Sequence, residues 1–447
     1  MFLPPMLDAD TWPTYQHDAS RSGVSSDSIT TELALAWSWQ SPVAPRPARS
    51  EPAKRDPYNK VENLKHRADF DRVFHVVSDG DRVYFGTSVT DQVLCLSAQT
   101  GETQWSFFTE GPVRLAPTLA DERLYFGADD GYVYCLDAQE GEVLWKKRIG
   151  PSDIRLAGDG RIISKWPVRT GVVIRDHVVY VAAGMFPSES VYLVALDSRT
   201  GDEIWRGTTG EYPAQGYLLA SASRVYVPSG RSNPLVFDRQ NGELLRVVAG
   251  SGGTYCLLTG DTLVFGPGKT GQLGIVPDQT QDQLASVQGN HMIATPTLTY
   301  IHADDKLSAI DRQAYLSLRV EQSTLQAELK AIRKAIADAT LAGEQDGVNQ
   351  ATTEFESKNL RLARISEELP MCEKWSVPCR FPHALILVGE HLVAGGSDEL
   401  AVLSVLDGSP LATVPVLGNA YGLAAAKGRL YVSTDRGVVH CFTGTTQ

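Results

Sequence analysis

The sequence predicts an all-β fold, an eight-bladed β-propeller of four-stranded antiparallel blades, and three observations predict it. The first is a repeated phrase: residues 83–105 read VYFGTSVTDQVLCLSAQTGETQW and residues 124–145 read LYFGADDGYVYCLDAQEGEVLW. Each copy alternates short strands with tight turns and ends in a tryptophan, Trp105 or Trp145, forty residues apart. A period of that size built from short strands is the mark of propeller blades. The second is the strand pattern apolar-aromatic-apolar-small, which starts at Val83, Leu124, Val179, Val225, Leu263, Thr299, Leu392 and Leu430; the copies at Leu263 and Thr299 are the least regular. The third is the complementarity of the two ends. The last repeat, LYVSTDRGVVHCFTG, stops without a Trp-bearing strand, and residues 33–39 supply one with Trp37. Pairing the two ends closes the ring and removes exposed strand edges.

In chain order, an opening segment TWPTYQHDASRSGVSS precedes the strand at 33–39. Residues 41–70 are rich in proline and charge and read as a surface loop, with a short helix expected near 61–67. In the blades that follow, an apolar third strand ends in Asp or a substitute (Asp137, Asp197, Asp238, Asp311), and a glycine turn comes next at Gly101, Gly141, Gly201 and Gly242. Glycine accepts the positive φ of such turns. Trp105, Trp145 and Trp205 follow their glycines by four residues, with Arg246 in the fourth copy; with Trp37 and Trp375 they read as structural blade tryptophans packed between neighbours.

Residues 313–370 break this pattern. Leu318, Leu325, Leu329, Ile332 and Ile336 fall at coiled-coil spacing, and Val348, Phe355, Leu362, Ile365 and Leu369 form a second run beyond Gly343 and Gly347. This is an antiparallel helical hairpin, inserted in the sixth blade between Asp311 and Trp375. It is either a decoration of the ring or a contact surface for a protein partner.

A net charge of −12 argues against non-specific nucleic-acid binding and against an anionic membrane as partner. No stretch of about 18 apolar residues is present, so no transmembrane helix is expected. The start, MFLPPMLDADTWP, does not read as a signal peptide, which leaves either a cytoplasmic protein or a trimmed or larger chain. Cys95, Cys135 and Cys441 recur at one blade position and read as small buried hydrophobes, as does Cys256; Cys372 and Cys379 are a candidate disulfide. No haem or paired-cysteine zinc spacing occurs, and no metal site is expected.

Aligning the blades brings one set of residues to the mouth of the central channel. Arg114, Arg169 and Gln215 share a register; Tyr217, Tyr255, His291 and His75 sit two positions on, and His383 and Tyr421 one. The loop RLAGDGRIISKWPVRTG adds Arg161, Lys165 and Trp166. Such a set would hold an anionic, planar or carboxylate-bearing ligand, because arginine gives bidentate hydrogen bonds and stacks on rings. The competing reading is that these arginines bind carboxylates of neighbouring blades and that the histidines are structural. No nucleophile, base and acid occur at a recognisable spacing, so no catalytic residue is assigned and the enzyme question stays open, leaning to no.

The repeats resemble the PQQ-like (quinoprotein-type) propeller repeat, [AV]-x-D-x-x-[TN]-G-x-x-x-W, over residues 97–105, 137–145 and 197–205, and in damaged form over 238–246. Trp12, Tyr15, Asp18, Arg21, Ser22 and Gly23 resemble the opening of such propellers. The stretches FPSESVYL, QGYLLAS, YVPSGRSNP and GPGKTG are most similar to uncharacterised bacterial PQQ-binding-like modules, and more distantly the chain resembles the Bam-complex propeller lipoprotein. The resemblance implies an extracytoplasmic setting and, in the dehydrogenase branch, a quinone with Ca²⁺. This sequence lacks that branch's adjacent cysteines, and its Ca²⁺ ligands find no matching positions. The expected function is therefore a non-catalytic binding or scaffold propeller that takes protein partners or an anionic ligand, with no cofactor assigned. The alternatives are a PQQ-dependent dehydrogenase or degenerate relative, and a sensory module of a larger polypeptide.

Overall fold

A computed structural model describes residues 11–444 apart from 50–54, 56, 59, 61, 159, 251, 261 and 278–282. Six four-stranded sheets follow one another: the first over 77–108, then 118–148, 173–208, 219–247, 255–288 and 291–378. A further, eight-stranded sheet joins two units, because one strand, Pro410–Ala426, serves both. Its first half pairs with Ser397–Ser404 and its second half with Arg429–Thr434. Two small two-stranded sheets, Arg155–Gly158 with Arg161–Ser164 and Thr170–Gly171 with Gly216–Tyr217, complete the set among the described residues. All eight strand starts read from the sequence lie in the second strand of their unit.

The chain ends meet as expected. Leu33–Gln40 pairs antiparallel with Val438–Gly444, and Trp37 lies opposite Cys441. The first strands of successive sheets neighbour one another in chain order, and the first sheet's Val77–Ser78 also touches Pro410–Ala426.

A repeated joint links the sheets. Trp37, Trp105, Trp145 and Trp205 donate from Nε1 to the carbonyls of Ala98, Ala138, Ser198 and Arg239 in the next sheet, at 3.0–3.2 Å. Trp375 does the same to Val405 at 3.2 Å. Each indole lies against the turn glycine of that next sheet. A Cβ on Gly141 would sit 2.6 Å from the Trp105 ring, and its φ is +73°, so sterics and backbone both select glycine there. The spacing of turn glycine and tryptophan in the sequence is the imprint of this joint.

Helix α1 (Arg312–Ala342) and helix α2 (Gln345–Glu368) lie between the third and fourth strands of the sixth sheet. Asp311 caps α1 through the Ala314 N–H, and Gly343 ends it in the left-handed region at φ 73°. Leu325, Leu329, Ile332 and Ile365 are buried in the seam. Ion pairs Lys358–Glu328 (2.8 Å) and Arg361–Glu321 (2.7 Å) cross between the helices in antiparallel register.

Two expectations fail. The segment 62–67 is not helical, and residue 61 lies outside the described residues; the segment is drawn out across the ring, with the Lys65 N–H on the Lys269 carbonyl at 3.0 Å. Cys372 and Cys379 are free. The strand Glu373–Pro378 separates them, and at about 3.3 Å per residue this puts them about 20 Å apart, beyond disulfide reach.

Candidate functional site: the axial cavity

The site is built on the opening segment. Residues 12–25 run through the centre of the sheets and hydrogen-bond to first strands around it: Trp12 to Ser78, Pro13 to Leu119, Ala19 to Ala220, Ser20 to Leu258 and Gly23 to Leu387. Arg21, 1% exposed, anchors this plug through the carbonyls of Leu218, Tyr15 and Val172 and the Thr14 hydroxyl. Burial lowers its pKa to about 10.

Tyr15 of the plug forms the floor of a cavity. Its ring stacks on Tyr217 at 3.6 Å and 7°, and His75 stands edge-on to both. Burial pushes the Tyr15 hydroxyl up to about 12 and the His75 imidazole down to about 4, so both are neutral near pH 7. Above the floor is a cavity of about 310 Å³, walled by Tyr217, Tyr255, Tyr421, His291 and His383. Lys65, His66, Asp69, Phe70 and Arg72 roof it. A wider hollow of about 590 Å³ lies on the outer side of the same segment.

The structure divides the residues expected at the mouth. Tyr217, Tyr255, His291, His383 and Tyr421 line the cavity, and His75 supports its floor. Arg114, Arg161, Lys165, Trp166, Arg169 and Gln215 do not line it. Arg114 Nε and Arg169 Nη2 both bond Asp129 Oδ2, at 2.7 and 3.1 Å, and Arg114 also reaches Asp71 at 3.0 Å. All four of these side chains are at most 3% exposed. Arg161 holds Asp91 at 2.5 Å and also reaches the Val89 carbonyl. Lys165 pairs with Glu189 at 2.6 Å and covers the Trp166 ring, whose N–H bonds the Glu189 carbonyl. Gln215 is buried, with its backbone on Pro228. The basic mouth expected from the sequence is thus neutralised from within, because unpaired buried charge is costly.

Sequence reasoning missed Asp71, Asp129, Tyr15 and the whole roof. Asp129 reads as part of a DDG turn, and only its neighbour Asp130 behaves that way, accepting from the Tyr132 N–H and the Tyr134 hydroxyl. The one available signal was the density of charge in 62–72.

The Ca²⁺ implied by the resemblance does not fit this donor set. Ca²⁺ takes about six to eight oxygen ligands. Among the described residues no three His, Cys, Asp or Glu side chains converge on a point that would hold a metal. Asp71 and Asp129 are engaged by arginine, and the cavity-lining Asp69 and Asp304 are engaged by Arg72 and Lys65. No step is derived through the quinone.

Four likenesses place the chain among known proteins. The family model PQQ_2, described as "Outer membrane protein assembly factor BamB", matches residues 38–314. The polyvinylalcohol dehydrogenase of Sphingopyxis sp. is 30% identical over 166 residues, which are 34% of this chain and 24% of that protein. The outer membrane protein assembly factor BamB of Yersinia pestis is 27% identical over 157 residues, 34% of this chain and 36% of that protein. The chain therefore spans about a quarter to a third of these relatives. The quinohemoprotein alcohol dehydrogenase from Comamonas testosteroni superposes with a TM-score of 0.62 at 12% identity, covering 99% of this chain and 82% of that one. That likeness establishes a shared propeller fold.

Proposed function

This chain belongs to the PQQ_2 family of PQQ-type propellers, and on that premise we propose that it is a non-catalytic binding module, an eight-bladed ring that takes a small ring-bearing polar ligand in its axial cavity. Six four-stranded sheets and a double one, joined by Trp37 at the closing strand, support the ring.

One observation carries the reading of the site. The formal cations lining the cavity are matched by carboxylates lining it: Lys65 by Asp304 at 2.5 Å and Arg72 by Asp69 at 2.6 Å. What is left to meet a ligand is chiefly tyrosine ring surface and the imidazole of His291, whose buried Nδ1 has no hydrogen-bond partner. Burial lowers the His291 pKa to about 3, so at neutral pH it meets a ligand uncharged. A neutral ring with one polar edge matches this better than a tricarboxylate does. Pockets of this size suit ligands of that class.

The hairpin α1–α2 is the proposed contact for a protein partner. A 31-residue helix is about 46 Å long, and it packs mainly on α2 rather than on the sheets. Among the described residues no helix is long and apolar enough to cross a membrane.

The second reading, a quinone-dependent dehydrogenase, is favoured by the likeness to the Sphingopyxis enzyme. Titrating the full chain with pyrroloquinoline quinone plus Ca²⁺, by calorimetry and by dye reduction with alcohols, separates the two. The binding-module reading expects no saturable heat and no dye reduction. Tight binding with dye reduction would replace it with the enzyme.

A further inference from the structure

The loop between the closing strand and the first sheet has an unequal attachment to the ring. At its neck, Asp71 Oδ2 accepts from the Ala48 N–H at 2.7 Å and from Arg114 at 3.0 Å, and the same Arg114 nitrogen reaches the Arg46 carbonyl at 3.0 Å. Asp71 and Ala48 are 2% and 4% exposed. The two ends of the loop are thus pinned together, and pinned to the second sheet, by a buried knot that Asp129 and Arg169 extend.

The body of the loop is held differently. Lys65 pairs with Asp304, whose side chain is 61% exposed, and Arg67 donates to the Arg231 carbonyl at 3.0 Å. The Lys65 N–H reaches Lys269, and the Thr254 hydroxyl reaches the Asp69 carbonyl at 2.8 Å. Exposed pairs of this kind contribute about 1 kcal/mol or less and weaken with salt. The knot at the neck is buried, whereas the Lys65–Asp304 contact of the body lies at the surface.

The body is also a partition. His66 of this segment walls both the inner cavity and the outer hollow, together with Asp69 and Arg72 just beyond it and Tyr421. Swinging 62–68 away from Asp304 would join the two spaces.

We propose that residues 62–68 are a flap over the axial cavity, hinged at the Asp71–Arg114–Ala48 knot and latched by Lys65 on Asp304. The flap gives the ligand of the proposed binding module its way in. Its test needs no ligand, so flap and binding module can fail separately.

The probe is diethyl pyrocarbonate, with the labelling rate of each histidine read by mass spectrometry on the full chain. His291 reports the cavity, and His177, 65% exposed on the outer surface, is the control. In Lys65→Ala, His291 should label about threefold faster, the size expected for losing one exposed pair, with His177 unchanged. In the wild type, His291 labelling should rise with salt for the same reason. Deuterium exchange at 62–68 should rise in parallel. A second variant, Asp304→Asn, removes the latch from its other side and should behave like the first. His291 labelling that ignores both substitutions and salt overturns the flap, and so does faster exchange at 62–68 without faster labelling of His291.

Discussion

The joints between neighbouring sheets are of two kinds. From the closing strand through the fourth sheet, and again from the sixth sheet to its successor, an indole lies on a turn glycine and donates to a carbonyl beyond it. Around the fifth sheet this device is missing. Arg246 stands where the fourth sheet would carry its tryptophan, and the outer strand Ala285–Gln288 has none. The turn that would receive a tryptophan in the sixth sheet is occupied by α1 and α2. A small apolar void of about 30 Å³ remains between the fifth and sixth sheets, lined by residues such as Val264, Ile275 and Ile301 and closed by Tyr315 and Leu316 of α1. The flap segment crosses this same sector, touching Arg231, Lys269 and Asp304, and Asp69 just beyond it meets Thr254. Where the repeated joint is lost, two insertions do the bridging. The sector that carries the unusual features is therefore also the one with the fewest shared locks, as expected if function draws on the less stable parts of a fold.

The largest effect should come from removing a lock. Trp145→Ala deletes a 9%-exposed indole and should cost about 3–5 kcal/mol, while Arg246→Ala at the equivalent place in the unlocked sector should cost about 1 kcal/mol or less. Urea unfolding of both variants checks this, and equal losses would erase the distinction between the joints.

Acid should act next, and on the unlocked sector first. His291 and His302, both in the sixth sheet, are held by burial at about 3 and 4, against an ordinary 6.5. Their folded pKa values are depressed, so the unfolded chain binds more protons as pH falls from about 6.5 toward 4, and stability drops through that window. His17, His75, His383 and His440 shift the same way. Asp71, raised by desolvation to about 6, runs in the opposite sense, as do Asp91 and Asp130, and the histidines outnumber them. Deuterium exchange at pH 7.5 and pH 5 should show 255–302 loosening before the second and third sheets; uniform loosening would contradict this.

The smallest effect should follow excision of 318–364 with a short glycine turn joining the stumps. The removed parts of α1 and α2 pack on each other, and the root residues Tyr315 and Leu316 stay in place, so the ring should keep its β signal in circular dichroism and lose about 1 kcal/mol at most. Collapse of the β signal would show that the hairpin is part of the ring's integrity.

Much of this was legible residue by residue. The Gly-to-Trp spacing and the strand starts follow from period-two patterning and turn chemistry, which are local, and the pairing of 33–39 with the last repeat follows from the strand that repeat lacks. The cavity wall was legible and its floor and roof were not: register alignment found Tyr217, Tyr255, His291, His383 and Tyr421, because first strands of a repeat deliver their residues to one axis. The arginines misled because their chemistry was visible and their partners were not. Asp129 lies 15 residues from Arg114 and 40 from Arg169, and Asp71 43 from Arg114. The Lys65–Asp304 contact spans 239 positions.

The sequence alone determined the repeat, its strands and turns, the tryptophan joints and the helical hairpin, since each is written in neighbours a few residues apart. Only the tertiary structure decided that Arg114 and Arg169 bind carboxylates rather than a ligand, that Tyr15 floors the cavity and that 62–72 covers it. Those outcomes depend on which distant groups the folded ring brings together out of water, where a buried charge must find its counter-charge inside the protein.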